Sequence, residues 1–516
     1  MLGKRKAQRH LFHAAPVLGP EVVDQMGVYG KLAKEGHKIF RDESFAQLYC
    51  PDNGRPSTPP SMLAIAHLLQ HHDRVSDAEV IERTRFDLRW KVALDLDPLS
   101  VKAPFAKSTF QAFRARLTLH QKEGLAFETS VKVAAQAGLL PEKLLVGLDS
   151  SPVRGRGAVK DTYNLLSDAI RCVVVKIAKE SQQKADEIAR EHGLQRHLQA
   201  PSLKGSEVVD WTDADSVTGF LRGLVEDCQQ AVALAQTRDC ASEEVALLRK
   251  VIDQDLHLDP PEKPTLSRQV AKDRTVSISD PEMRHGRKSS GQRYDGHKAH
   301  MAVDVTSGVI TAVRVTAPAS ADGEQVKSLL EQTQATTGRK IKQALGDCAY
   351  SSRQALRQAE QVGVELITKM PSTNKRVFGP SDFQVREDLQ EVRCPAGHLS
   401  VKTGRRGEGW VHSWSPKCCG PCPLKSLCTK AARRTFTVFP DFHDRRHRER
   451  YARSAAGRQM LRKRVIVEHR IGRIKQLGGA LSRYFGAAKT EWQWLWAASM
   501  ANLCLVWAVA SHAGVS

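Results

Sequence analysis

The sequence predicts an α/β core with a mixed sheet, preceded by an all-α N-terminal domain and interrupted by a helical insertion and a Cys-rich insertion. Three observations carry this. Short apolar runs that stop at turn residues, KLLVGLDSSPV (143–153) and IKQALGDCAYSS (341–352), read as buried strands, each ending in an acid. The first 125 residues instead place apolar side chains at helical spacing between turns. Of the 11 cysteines, 5 crowd between Cys394 and Cys428 and the rest are scattered.

In chain order, CPDNGRPSTPP (50–60) is a turn-rich break, and the helix PPSMLAIAHLLQHH (59–72) starts on proline. SDAEVIERTRFDLRWKVAL (76–94) opens with Ser76 and Glu79, a capping-box pair, and has Val80, Ile81, Leu88 and Val92 as its apolar side. KSTFQAFRARL (107–117) is a third helix, with Arg114 and Arg116 available to phosphates. After the strand ending at Asp149, residues 161–254 form a long helical stretch and 260–273 a linker. DGHKAHMAVDVTSGVITAVRVTAP (295–318) alternates around the turn TSG, which makes a hairpin. A helix (323–338), the strand ending at Asp347, a helix (352–363) and the strand VELITKMP (364–371) complete the α/β pattern. The expected divisions are therefore an N-terminal helical DNA-binding or dimerisation domain (1–125), the core in two pieces (140–160 and 279–375), the helical insertion with its linker (161–278), a Cys-rich insertion (376–440) and a C-terminal part of the core (441–516).

Charge narrows the partners. Lys plus Arg number 78 against 57 acids, a net +21, which favours a polyanion and first of all nucleic acid. The excess is local: Asp441 to Lys475 holds 12 Lys or Arg and 4 acids, +8 in 35 residues. The opening MLGKRKAQRH is basic but lacks the apolar run of a secretory signal, and reads as a flexible arm. Trp492 to Ser511 carries no formal charge and is long enough to span a bilayer. Gln493, Ser499 and Asn502 within it, and no second such segment, favour a buried helix and a soluble protein with no membrane partner. An odd cysteine count without a signal fits a reducing cytosol. No Walker-type loop, HExxH or G-x-S-x-G occurs, so no nucleotide cofactor is indicated.

Asp149 and Asp347 share a context, since each ends an apolar strand where α/β sheets place their sites. Taken singly each could be a turn aspartate. As a pair they suit a hard divalent cation. In RVIVEHRIGRIKQLGG (464–479), a helical wheel gives Val467, Ile471, Ile474 and Leu481 as an apolar stripe and sets Arg464, Glu468 and Lys475 together at its edge. That acid could reach a metal while the cations hold phosphates, or all three could form an ion-pair lattice on a solvated face.

These residues resemble the D, D and E of bacterial insertion-sequence DDE transposases, whose catalytic core is RNase H-like. SDPEMRHGRKSSGQRYDGHKAHMAVD (279–304) is similar to the segment between the first two acids of these enzymes, and PDNGRPSTPPSMLAIAHLL with SDAEVIERTRFDLRWKVALDLD to their N-terminal helical domain. Arg464 and Lys475 stand around Glu468 as in the R-(3)-E-(6)-K signature of one branch. Leu461 replaces that signature's Tyr, Cys348 and Ala349 follow the second acid where Lys-Gly is common, and His297 replaces a Tyr before Lys298. The resemblance implies that Asp149, Asp347 and Glu468 hold two Mg²⁺ or Mn²⁺ ions and that Arg464, Lys475 and Lys298, with Arg470 and Arg473, contact DNA. It implies further that the chain, as a homodimer on double-stranded DNA in the bacterial cytoplasm, cleaves terminal inverted repeats and joins their 3′-hydroxyls to target DNA. A structure-specific nuclease without strand transfer and a dead, zinc-bearing DNA-binding regulator are the rival expectations. Cys394, Cys419, Cys422 and Cys428 have spacings a structural Zn²⁺ could use, with Cys418 and His398 as substitutes, although free or redox-active thiols would leave the same pattern.

Overall fold

A computed structural model describes residues 1–5, 13–260, 263–289, 291–370 and 377–513. Helices α1 (Pro60–Asp73), α2 (Asp77–Phe86), α3 (Leu88–Leu94), α4 (Lys107–Leu119) and α5 (Leu125–Gln136) form most of the N-terminal region. The capping box is present, with Ser76 Oγ accepting from the Glu79 N–H and Glu79 accepting from the Ser76 N–H at 2.7 Å. The stretch read as one helix from Ser76 is two. Asp87 is extended and its carboxylate caps a new start by accepting from the Arg89 N–H, so Leu88 turns outward while Val80 and Val92 stay buried. Arg114 is not available to phosphates: it pairs with Asp77 at 2.7 Å and lies over the Tyr484 ring. The basic opening is docked over its first residues, with the Met1 ammonium on the Asn53 carbonyl and the Arg5 N–H on Asp42, and residues 6–12 of the expected arm lie outside those described.

The sheet is mixed. Its strands are β1 (Lys143–Arg154), β2 (Arg284–Arg287), β3 (Arg293–Asp304), β4 (Ile310–Thr316), β5 (Lys340–Gly346) and β6 (Glu365–Thr368). The order is β2-β3-β1-β5-β6, and β4 pairs with the second half of β3, beside β2 on the same edge. β3 and β4 are the expected hairpin, closed by Gly308 at φ 77°. β5 and β6 run parallel to β1, and β3 runs antiparallel to it. Helices α6 (Thr162–Ser181), α7 (Ala214–Thr237) and α8 (Ser242–Asp255) lie between β1 and β2 and bury an apolar core of their own. From the stretch read as a linker, Thr265–Leu266 pairs with Leu256–His257.

After α9 (Val326–Thr337), α10 (Arg353–Gln361) and β6, the chain leaves the sheet for a small module with strands β7 (Val401–Arg406), β8 (Gly409–Ser413) and β9 (Thr435–Val438). It returns through the basic helices α11 (Phe442–Arg453) and α12 (Ala455–Arg462), then α13 (Val465–Ile474) and the long α14 (Ala487–Ala513). By length and composition α14 could cross a membrane, yet 67% of its most apolar window is buried, against α5, α1 and β4. Its polar residues serve that burial. Asn502 exchanges two 2.9 Å hydrogen bonds with the backbone of Ile310, and the Gln493 amide donates to the carbonyls of Gly478 and Leu481. One apolar core runs from Tyr29 through the sheet to Trp507.

Candidate active site

Asp149 is not at a strand end, because β1 continues five residues past it to Arg154. The reason lies in its neighbours. β1 is paired on both sides only as far as Gly147, opposite Leu345; beyond that it runs on β3, with Asp149 opposite Met301, until Arg154 bridges to Leu481. β5 stops at Gly346. Asp149 and Asp347 each stand two residues beyond the Gly147–Leu345 pair, so the two acids leave the parallel ladder level with one another. Alternation puts Asp149 on the same face as Gly147. That face is covered by α13: a Cβ on Gly147 would lie 2.4 Å from Val467 Cγ2. Glycine at 147 lets α13 sit close to the strand, one residue ahead of Glu468.

The close approach brings the third acid in. Arg464, at the start of α13, donates from Nη1 to Asp149 Oδ2 and from Nη2 to Glu468 Oε1, both at 2.7 Å. Asp149 also accepts from the Ser150 N–H at 2.8 Å. Burial pushes the Asp149 carboxyl above the usual carboxylate range and the charge of Asp347 adds to this, while Arg464 and the Ser150 N–H oppose it. Asp347 accepts from the Ala349 N–H at 2.9 Å, which fixes the turn after β5. Glu468 is half exposed. Burial, helped by Lys288, lowers the Lys475 ammonium pKa, and Asp149 lies near enough to oppose this. The wheel thus sets Arg464, Glu468 and Lys475 where the structure has them, but the stripe ends early. Gly478 at φ 95° breaks the helix, Leu477 is buried, and Leu481 is 50% exposed.

Three expected DNA contacts have other partners. Arg470 and Arg473 are on the opposite side of α13 from Glu468. Arg470 donates to the Ala501 carbonyl of α14 at 2.8 Å, and Arg473 reaches toward Cys504 Sγ. Burial lowers the Arg470 guanidinium to about 10. Lys298 donates to the Ser320 carbonyl at 2.8 Å and to Asp322 at 3.1 Å. Asp322, which sequence reasoning missed, also accepts from Ser150 Oγ at 2.9 Å, next to Asp149. Its position ahead of a helix looks like that of an ordinary cap residue, so nothing in the pattern marks it. His297 is buried and its Nε2 faces Asp280 at 3.3 Å.

Beside Glu468 opens a cleft of about 500 Å³ lined by Lys369, Arg453, Arg458, Arg462 and Arg464, with Leu461 in its wall. In the Cys-rich module, Cys394, Cys419, Cys422 and Cys428, together with Cys418 and His398, line one small cavity. Among the described residues, no group of three or more His, Cys, Asp or Glu side chains is placed to hold a metal ion.

Residues 267–503 match the family described as transposase DDE domain, and residues 32–116 match a transposase domain, DUF772. Asp347 and Glu468 fall inside the first match. Asp149 lies ahead of it, across the helical insertion. A Rhizobium meliloti protein, described as uncharacterized protein ORF8 in the nfe locus, is 33% identical over 104 residues, 20% of this chain and 49% of its own length. The chain thus spans about half the length of that relative. No solved structure matches the chain. The two matched transposase domains follow one another in the order of the helical region and the mixed sheet, and together they indicate an insertion-sequence DDE transposase.

Proposed function

We propose that this chain binds the terminal inverted repeats of its own element, cleaves the DNA there, and joins the freed 3′-hydroxyls to target DNA. Asp149, Asp347 and Glu468 are the acids that hold its metal ions. One observation carries the reading: two acids leave adjacent parallel strands level with each other, and a single guanidinium ties one of them to the third acid from α13. The donors are hard carboxylate oxygens, and the place between Asp149 and Glu468 already accommodates a positive charge, so the set fits Mg²⁺ or Mn²⁺. Two such ions, when bound, activate the attacking oxygen and stabilise the leaving one.

The chain's own groups do the rest. Asp149 and Asp347 are rigid because strand pairing and the Ala349 N–H hold their backbones. Glu468 is the exposed member, half open to solvent on a helix rim. Arg464 balances the charge of Asp149 and Glu468, and its planar fork of donors is also suited to a DNA phosphate. Lys475 and the cations of the cleft steer the DNA backbone toward the acids.

The test uses the full chain and duplex DNA from the sequences flanking its reading frame. Asp149→Asn, Asp347→Asn and Glu468→Gln should each lower Mg²⁺-dependent cleavage by more than about 100-fold while DNA binding stays within about threefold. Cleavage that survives in these variants overturns the assignment. Cleavage by the unsubstituted chain without joining of a pre-cut 3′-end overturns the strand-transfer half alone.

A further inference from the structure

The module between β6 and α11 cannot stand on its apolar core. Among its described residues only Phe383, Val392, Trp414, Phe436 and Val438 form the buried cluster, and its strands are two to six residues long. A unit of about 60 residues with so little core needs a staple. The thiols offer one. Cys394, Cys419 and Cys428 pack against that cluster, and with Cys422 they line a cavity of about 30 Å³, room for a small ion and too little for an organic ligand.

Each cysteine sits on a turn that aims it inward. Cys394 opens a tight turn closed by Gly397 (φ 88°), whose N–H donates to the Cys394 carbonyl at 2.8 Å, and the Cys394 N–H donates to the His398 carbonyl at 3.0 Å. Cys419 ends the one-turn helix Pro416–Cys419, and Cys428 ends Lys425–Cys428, which starts just after Cys422. All four thiols face the same small cavity, and Cys428 packs on the module's core beside Cys394 and Cys419. Cys418 lines the same cavity. Neighbouring residues of a helical turn point about 100° apart, however, and Cys419 is the one packed on the core.

We propose that Cys394, Cys419, Cys422 and Cys428 form a structural zinc site that closes this module, with Cys418 and His398 outside the ligand set. Four soft thiolates from two paired segments are a closed tetrahedral set, without an open position for chemistry. Binding draws the cavity walls inward and couples the metal to folding of the module. The module in turn fixes where β9 hands the chain to α11, since Arg353 of α10 pairs with Asp441 at 2.8 Å and stacks on Phe439 at 3.8 Å. The site stands independently of the chemistry proposed for the acids.

The full chain, purified under reductant without chelator, should carry about one zinc per molecule by elemental analysis. Cys394→Ser and Cys422→Ser should fall below about a fifth of that, whereas Cys418→Ser and Cys50→Ser should keep it. Since the first two variants could fail to fold, the unsubstituted chain is also stripped of metal and reloaded with Co²⁺. The expected result is the absorption of tetrahedral thiolate-bound cobalt, together with return of protease resistance across residues 377–440. Absence of zinc and of the cobalt spectrum in the unsubstituted chain overturns the site. Loss of metal in Cys418→Ser with retention in Cys419→Ser overturns the ligand set.

Discussion

Arg464 joins two of the three acids through one side chain. Its guanidinium has donors fixed in a plane, so it can satisfy Asp149 and Glu468 together, which an ammonium on a flexible stem would do poorly. Asp149 depends on it, because burial already disfavours the carboxylate. Replacing Arg464 by Gln removes a positive neighbour, so the Asp149 carboxyl rises further and a higher pH is needed to ionise it. A carboxylate must be charged to hold a divalent ion. The expected outcome for Arg464→Gln is an acid limb of the cleavage profile displaced toward higher pH, with activity at pH 8 recovering more than at pH 6. An unmoved acid limb would mean that Arg464 does not govern Asp149.

At the scale of elements, the site depends on α13 lying against β1. Gly147 permits this, since a Cβ there would meet Val467 Cγ2 at 2.4 Å and Val305 Cγ1 at 2.9 Å. Gly147→Ala must lift the helix, at a cost of about 1–3 kcal/mol. Glu468 then moves away from Asp149, and a displacement near 1 Å can lower rate about 100-fold. Cleavage should drop accordingly at temperatures where circular dichroism shows the chain folded, and adding Val467→Ala should recover part of it. Full activity in the single variant would show that the helix position is not critical. The sequence made these elements legible where local signals suffice: apolar runs for the strands, TSG for the hairpin, Ser76 and Glu79 for a helix start. It did not reveal what depends on partners distant in the chain. Asp149 reads as a strand end because the halting of β5 beside it is invisible in LLVGLDSS. Nothing local reveals that α14 packs on the side of the helix that carries Arg470 and Arg473. Asp322 joins the site only through the fold.

Across the whole molecule, the charge excess becomes a surface with a direction. The basic helices α11 and α12 deliver Arg453, Arg458 and Arg462 to the cleft beside Glu468, where Lys369 after β6 and Arg464 complete the lining. Arg470 and Arg473 belong to the same charge run in sequence but face α14 instead. The fold therefore separates cations that the sequence presents as one cluster, and salt dependence can separate them experimentally. Each phosphate contact contributes about 0.9 to the slope of log affinity against log salt on duplex DNA. Replacing Lys369, Arg458 and Arg462 together by Gln should reduce that slope by about 3 if each meets a phosphate. Replacing Arg470 and Arg473 by Gln should leave the slope unchanged and lower thermal stability, since the bond to the Ala501 carbonyl and the packing of the two stems on α14 would be lost. Equal slopes for the triple and the double variant would place the DNA on another face and remove the link between this cleft and the acids.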